Sequence, residues 1–395
     1  MNAMDGKSVD KDIPADDTSA IQAAGNPPAG MGSAPAGGAA HAHVLIALSG
    51  GVDSSVVAYL LTQAGYTCTG ATMHLFDAAP VETPDSPSNP IADARAICDR
   101  LHIPHEVLDL SATFTQQVID PFIATYEHGW TPNPCVQCNR HLKFGSLVDY
   151  ALATGHNHIA TGHYARISYD KNAARYLLKR ALDPQKDQSY VLYTLTQQQL
   201  AHTLFPLGEL TKEQVRQIAL EQGFPCAHKG ESQDICFIPN HDHEAFIRRS
   251  TGREYPPGDI VDVQGRHLGT HPGIIGFTVG QRKGIGIAAP QPLYVKEIIP
   301  QTGTLVVGPE DCLYGRVAIV EDINLIARES LEGPIKATAK QRYRSPEQPV
   351  TVRQVAADRL EVVFDEPQKA ITKGQSLVIY NGDTVLGGGT ITAVG

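Results

Sequence analysis

Nowhere in the 395 residues is there a run of 18 apolar residues, nor the charged, apolar and small-residue succession of a secretory leader. A membrane-crossing helix and export are therefore not expected. Basic residues are in the minority: 32 Lys and Arg face 42 Asp and Glu, for a formal charge of −10. That excludes a generally basic coat for nucleic acid, although a local patch needs only a handful of cations on one face. No internal repeat is present, which excludes stacked-repeat architectures. The seven cysteines form no framework, being odd in number and scattered along a long chain. Such a chain reads as cytoplasmic with reduced thiols, so a special cysteine pair is expected to be catalytic or metal-binding rather than structural.

What is present is a globular composition, 42% hydrophobic and 19% charged, at a length that calls for two or three domains. Residues 1–42 stand apart. Rich in Ala, Gly, Pro and Asp, they cannot bury enough apolar surface to offset ordering and are expected to form a disordered tail. The tail has no Arg, unlike a transit peptide. From residue 43, short apolar strands at 44–48, 67–75, 105–110 and 157–161 alternate with helical patterns at 54–64, 91–101, 113–127 and 142–154. The alternation predicts an α/β fold with a parallel sheet. A Pro- and Asp-rich loop is expected over 77–90, and a helix over 211–222 stopped by Gly223. Beyond about residue 250 the runs are short and β-rich, and five of them in the last eighty residues (337–343, 350–355, 360–364, 376–380, 390–394) predict a small barrel or sandwich.

The first segment with chemistry in it is Ser49-Gly50-Gly51-Val52-Asp53-Ser54-Ser55, which follows an apolar strand and opens a helix. Doubly wound sheets place their ligands at such strand ends. Adjacent glycines let backbone N–H groups approach an anion, and the serines add hydroxyl donors at a helix N-terminus that already favours negative charge. Asp53 is suited to hold Mg²⁺ on the same phosphates. The loop lacks the Lys of a Walker motif, which excludes that kinase or GTPase class. It resembles the PP-loop of ATP pyrophosphatases, which adenylate a substrate oxygen and release pyrophosphate.

The second segment is Asn133-Pro134-Cys135-Val136-Gln137-Cys138-Asn139-Arg140. Pro132 and Pro134 argue against helix, so both cysteines are expected on a loop ahead of a helix that starts near Asn139. A thiol there, beside Arg140, is expected to have a lowered pKa. The third segment runs Glu231-Ser232-Gln233-Asp234-Ile235-Cys236-Phe237. Three readings of these thiols stand side by side: a zinc site, for which a second ligand pair is missing; a thioredoxin-like redox pair; and inert core cysteines. The last suits Cys68, Cys98, Cys226 and Cys312 and fits the Pro-flanked Cys138 poorly.

These segments, together with 160–166, 186–190, 276–284 and 342–344, occur in an order that resembles the bacterial tRNA-specific 2-thiouridylases from about residue 43 onward. The resemblance implies a PP-loop domain (adenine nucleotide alpha hydrolase-like) over 43–245, a small central domain over 246–310 and a C-terminal β-barrel over 311–395. It implies an enzyme that uses ATP and Mg²⁺ to make 2-thiouridine at the wobble position of tRNA, with sulfur handed over as a persulfide by a donor protein, either a cysteine desulfurase or a relay protein. By motif position Cys138 would be the nucleophile and Cys236 the persulfide carrier, joined transiently as a Cys138–Cys236 disulfide. Ala47, Leu48, Ser49, Gly50, Gly51, Val52, Asp53 and Ser54 would line the phosphates, with Met73 and Gly162 around the adenosine. Asn133, Pro134, Cys135, His163, Lys186, Asp187, Gln188, Arg342, Tyr343 and Gln375 would face tRNA. Cys135 stands where some members carry an Asp that exchanges a proton with the base. Two rival classes remain at this point: a PP-loop amide or amine ligase, which needs no thiols, and a non-catalytic tRNA-binding protein.

Overall fold

A computed structural model describes residues 42–76, 89–228, 235–238 and 242–395. The expected tail through residue 41, most of the 77–90 loop and the Glu231–Asp234 part of the third motif lie outside the described residues.

Strands β1 (His43–Ala47), β2 (Thr67–His74), β3 (His105–Asp109) and β4 (His158–Ala160) are followed by the hairpin β5 (Ala165–Asp170) and β6 (Arg175–Arg180), and by the short β7 (Thr203–Leu204). A five-stranded sheet runs β3-β2-β1-β4-β7, with β1 parallel to both β2 and β4. Val44, Leu45 and Ile46 are fully buried, because helices cover both faces, as parallel sheets require. The chain winds to one side of β1 through β2 and β3 and to the other through β4. The crevice at this reversal lies beyond the carboxyl ends of β1, β2 and β4. Ser49, Met73 and Gly162 all fall there.

Helix α1 (Val52–Gln63) starts directly after the glycines. Gly50 has φ of +70°, and a Cβ there would come within 2.8 Å of the Pro90 carbonyl oxygen, so only glycine makes this turn. Helix α2 (Pro90–Leu101) packs beside α1.

The expected loop around the cysteines is corrected by the structure. Helix α3 begins at Pro134 and runs to Cys138, continues as a π-helix over Asn139–Ser146, and ends as the α-helix α4 (Leu147–Ala153). Proline is excluded from helix interiors but favoured in the first helical position, where its missing N–H has no partner to lose. Asn133 is the N-cap, its side-chain oxygen accepting the Val136 N–H. Cys135 and Cys138 are therefore inside a helix.

Helix α5 (Lys212–Glu221) has Thr211 as its N-cap in a capping box and Gly223 at φ +60° past its end. Helix α6 (His243–Thr251) leads into a four-stranded sheet made of β8 (Gly258–Asp262), β9 (His267–His271), β10 (Tyr294–Ile299) and β11 (Thr304–Gly308). The C-terminal unit consists of β12 (Tyr314–Leu325), β13 (Ile335–Lys340), β14 (Gln348–Ala356), β15 (Arg359–Lys369), β16 (Ser376–Asn381) and β17 (Thr384–Val394). Pairing of β12 with β17 closes it as an antiparallel barrel. Its first strand, β12, falls outside the five predicted runs. Strand β13 ends at Lys340, short of the expected 343, so Arg342 and Tyr343 lie in a turn.

Two contacts fasten the barrel to the first domain. Strand β17 also pairs with β6, so the β5–β6 hairpin extends the barrel sheet. A turn at 370–375 clamps the approach to α3: Thr131 N–H donates to the Lys373 carbonyl at 2.9 Å, and Gln375 Nε2 donates to the Thr131 and Pro132 carbonyls at 3.1 and 2.9 Å. Gly374 sits in this turn at φ +87°, and a Cβ would meet the Thr131 oxygen at 2.8 Å. Gly374→Ala should cost about 2 kcal/mol and lower the melting temperature by several degrees, whereas Gly333→Ala, with open space around it, should change neither. Calorimetry on the two variants checks this; equal melting points would show the clamp to be slack.

Candidate active site

The glycine-rich loop is held by its own serines. Ser54 Oγ accepts the Ser49 N–H at 3.2 Å, and Ser55 Oγ donates to the Gly51 carbonyl at 2.8 Å. Gly162 is packed so closely that a Cβ would lie 3.1 Å from both the Asp53 Cβ and the Ser54 nitrogen. Met73 packs at the end of β2 among partly buried apolar groups.

Asp53 is the charged centre of this end of the site. Its Oδ1 accepts from Lys212 Nζ at 2.6 Å and from the Tyr164 hydroxyl at 2.8 Å. The Lys212 side chain is 6% exposed and that of Asp53 33%. A buried ammonium thus lies against the loop whose sequence has no Lys of its own. Nothing in the local pattern marks Lys212, which reads as the first residue of an amphipathic helix and lies 159 positions away. Among the described residues no three His, Cys, Asp or Glu side chains cluster around a metal position. Asp53 alone suits Mg²⁺, which is usually held by one or two carboxylates plus substrate phosphates and waters.

At the other end are the thiols. Cys135 and Cys138 share α3, and Cys138 packs in an apolar cluster with Ile235 and Phe237, the two neighbours of Cys236. Phe237 anchors that segment, its ring 5.6, 5.3 and 5.1 Å from those of Phe114, Phe122 and Phe246. Two segments 98 residues apart in sequence thereby bring three thiols within electrostatic reach of one another. Desolvation pushes the Cys236 thiol up to about 11, with Cys138 and Cys135 adding to the rise and Lys143 opposing it. Desolvation also raises Cys138 and Cys135, again against Lys143. The expected lowering is therefore reversed. Cys135 and Cys138 sit inside the helix rather than ahead of it, Cys138 half-buried and Cys135 and Cys236 exposed, and Arg140 is turned away onto Asp322 of the barrel, with Nη2 3.0 Å from Oδ1. Cys68, Cys98 and Cys226 are buried in the first domain's core.

The barrel supplies a wall beside α3. The Tyr343 hydroxyl donates to the Asp187 carbonyl at 3.3 Å, its ring lies 5.9 Å from that of Tyr190, and Cys135 faces the phenol closely enough to raise its pKa, after desolvation and Asp187. Arg342 Nη2 donates to the Ala370 carbonyl and the Thr372 hydroxyl at 2.8 and 2.7 Å. Asp187 accepts from Ala181 N, Ser189 N and Ser189 Oγ, which fixes the turn that carries half-buried Lys186. Gln188 Oε1 accepts the Tyr164 N–H at 2.9 Å and so ties this wall to the Asp53 end. Asn133, Pro134, Cys135, Asp187, Tyr343 and Gln375 are gathered on one side of α3. His163 is not at that surface. It is buried with Nδ1 2.8 Å from Thr161 Oγ1, its ring 5.7 Å from Phe144 and 6.1 Å from Phe205, and burial with Lys143 nearby holds its pKa well below the usual value.

A doubly wound sheet whose first strand ends in a Gly-rich loop at a helix start, in a domain that also carries a helix with paired thiols, defines the class of PP-loop proteins. The comparisons with known proteins make this particular. The family described as the tRNA methyl transferase HUP domain matches residues 42–240, the tRNA methyl transferase PRC-barrel domain residues 244–309, and the aminomethyltransferase β-barrel domain residues 316–391. The chain is 47% identical to the tRNA-specific 2-thiouridylase MnmA of Moorella thermoacetica over 357 residues, covering 89% of this chain and 99% of that one. It is 44% identical to the MnmA of Clostridioides difficile, over 88% of this chain and 97% of that one. The chain belongs to the tRNA-specific 2-thiouridylase family.

With its thiol raised to about 11, Cys236 is protonated at neutral pH. Its alkylation by iodoacetamide, followed by peptide mass spectrometry, should rise about tenfold per pH unit from 7 to 10. A plateau already reached by pH 9 would contradict the packing described.

Proposed function

We propose that this chain is an ATP-dependent sulfurtransferase that replaces O2 of the wobble uridine in tRNA by sulfur. The observation that carries the reading is the convergence of Cys135, Cys138 and Cys236 in the same domain as the Asp53 loop. A PP-loop ligase would have no use for these thiols, and a non-catalytic binder would have no use for a nucleotide loop with a buried Lys212. The matching family's description speaks of methyl transfer and the full-length relatives of thiolation; the facing thiols suit the second.

The backbone N–H groups of 49–54 and the Lys212 ammonium would cradle the triphosphate, and Asp53, through its second carboxylate oxygen, would hold Mg²⁺, whose charge offsets that of the departing pyrophosphate. Adenylation of the uracil O2 creates a good leaving group. The base has to leave its stack to be reached, and the wall of Tyr343, Asn133 and Gln375 is placed to receive it. The terminal sulfur of a Cys236 persulfide, delivered by a donor protein, attacks C2 and expels AMP. Cys138, as thiolate, then attacks Cys236 Sγ. The persulfide S–S bond breaks, the outer sulfur stays on C2, and a Cys138–Cys236 disulfide remains. The proton given up by Cys138 is balanced by the one taken at N3 of the thiolated base, and two electrons from a thiol reductant reopen the disulfide. Cys135, a protonated thiol where some members of the family carry an Asp, would stand beside this exchange as a proton donor. All of this belongs in the cytoplasm, where reductant and tRNA meet, and no described helix is long and apolar enough to cross a membrane.

ATP should be split to AMP and pyrophosphate only in the presence of tRNA, and ADP with phosphate as products would sink the adenylation. Cys138→Ser and Cys236→Ser should each abolish 2-thiouridine formation by nucleoside mass spectrometry, and the double variant should be no worse, because the two act as a unit. One turnover without reductant should leave a Cys138–Cys236 disulfide in the peptide map. An active Cys138→Ser beside an inactive Cys135→Ser would transfer the nucleophile's role to Cys135.

A further inference from the structure

Lys143 has no place in any motif considered above, yet its charge acts on Cys135, Cys138 and Cys236 together. The geometry that brings it there is the change of helix type. Pro134–Cys138 is α-helical and Asn139–Ser146 is π-helical. An α-helix turns about 100° per residue and a π-helix about 80°. Over the five steps from Cys138, the π-turn therefore leaves Lys143 about 100° from where an α-helix would put it. On a uniform α-helix it would stand on the flank. Here it comes round to the face that carries Cys135 and Cys138. Gly145 shows how tight the wider turn is, since a Cβ there would lie 3.1 Å from the Arg140 carbonyl oxygen.

The surroundings leave this cation uncommitted. Among the described residues Lys143 makes no hydrogen bond or ion pair, its side chain is half-buried, and no described carboxylate acts on the thiols. Arg140, the other basic residue of the segment, is bound to Asp322. The groups that face the thiols are the thiols themselves, Lys143, and the Tyr343 phenol beside Cys135. His163, on the strand side, is neutral, and Lys143 helps to keep it so. Desolvation raises all three thiols, so ionising one of them at neutral pH requires a counter-charge, and Lys143 is the one in reach.

We propose that Lys143 is the positioning residue of sulfur transfer: swung onto the thiol face by the π-turn, its ammonium holds the Cys138 thiolate while that sulfur attacks Cys236 Sγ and the S–S bond of the persulfide breaks. The inference rests on the sulfur-transfer reading above. No further reactant enters, since the electron pair moves from Cys138 to Cys236 Sγ and from the broken bond onto the outer sulfur.

The test uses the full-length protein and reads two quantities. One is iodoacetamide labelling of Cys138 against pH, resolved by peptide mass spectrometry; the other is single-turnover formation of 2-thiouridine by persulfide-loaded protein. In Lys143→Met, Cys138 labelling at pH 7.5 should fall about tenfold and its midpoint move to higher pH. Thiolation should fall in step and recover as pH is raised, with the formation of AMP unchanged. Lys143→Arg, which keeps the charge, should stay within about threefold of wild type in both, which separates a charge effect from a packing one. A Lys143→Met protein whose Cys138 labels as in the wild type, or one that labels slowly but thiolates at the wild-type rate, overturns the inference. If the wild type itself makes no 2-thiouridine, both this inference and the functional reading fall; an unaltered variant beside an active wild type overturns this one alone.

Discussion

The Asn133 side chain accepts the Val136 amide while Pro134 occupies the first helical position, and this cap sets the phase of the helix on which the thiol chemistry rests. A helix beginning one residue later would turn every side chain by about 100° and take Cys138 out of its contact with the Ile235–Phe237 segment. The cap is enforced from outside. The barrel turn at 373–375 holds Thr131 and Pro132 by three hydrogen bonds, and the strained Gly374 lets the two backbones approach. The C-terminal barrel thus fixes where the thiol-bearing helix starts.

At the nucleotide end the governing contact is ionic. Burying the Lys212 ammonium is expensive unless a carboxylate meets it, and Asp53 does so at 2.6 Å. Such pairs add little net stability compared with apolar packing. Lys212 and Tyr164 both meet the same carboxylate oxygen, Oδ1 of Asp53.

Much of the first domain is legible along the chain because its signals are local. Strand β1 reads as an unbroken apolar run, α1 begins at the glycines, and Thr211 and Gly223 bracket α5 as a cap and a stop should. The rest is hidden because it depends on distant partners. Pro132 and Pro134 read as helix breakers when judged alone, whereas Pro134 starts a helix whose entry is held from the barrel. The first barrel strand, β12, lacks a clean alternation because it pairs on two sides and carries bulges. Thiol acidity is hidden for a related reason: Arg140 lies two positions from Cys138 in sequence, but its partner Asp322 lies 182 residues on. Lys212 and Lys143 carry no local mark either, the one being an ordinary first-turn residue and the other dependent on a change of helical pitch that side-chain periodicity does not announce.

The upward shift of all three thiols also bears on how the protein survives between encounters with its substrates. Peroxide and adventitious electrophiles react with thiolates and hardly at all with protonated thiols. A cysteine cluster whose thiols stay protonated at neutral pH reacts slowly with both, even though Cys135 and Cys236 are exposed and Cys138 only half-buried. Redox sensors are built the opposite way, with acidic, exposed cysteines that invite oxidation. Here the thiols are open to water yet held protonated, so their slowness toward oxidants comes from their raised pKa rather than from being shut away.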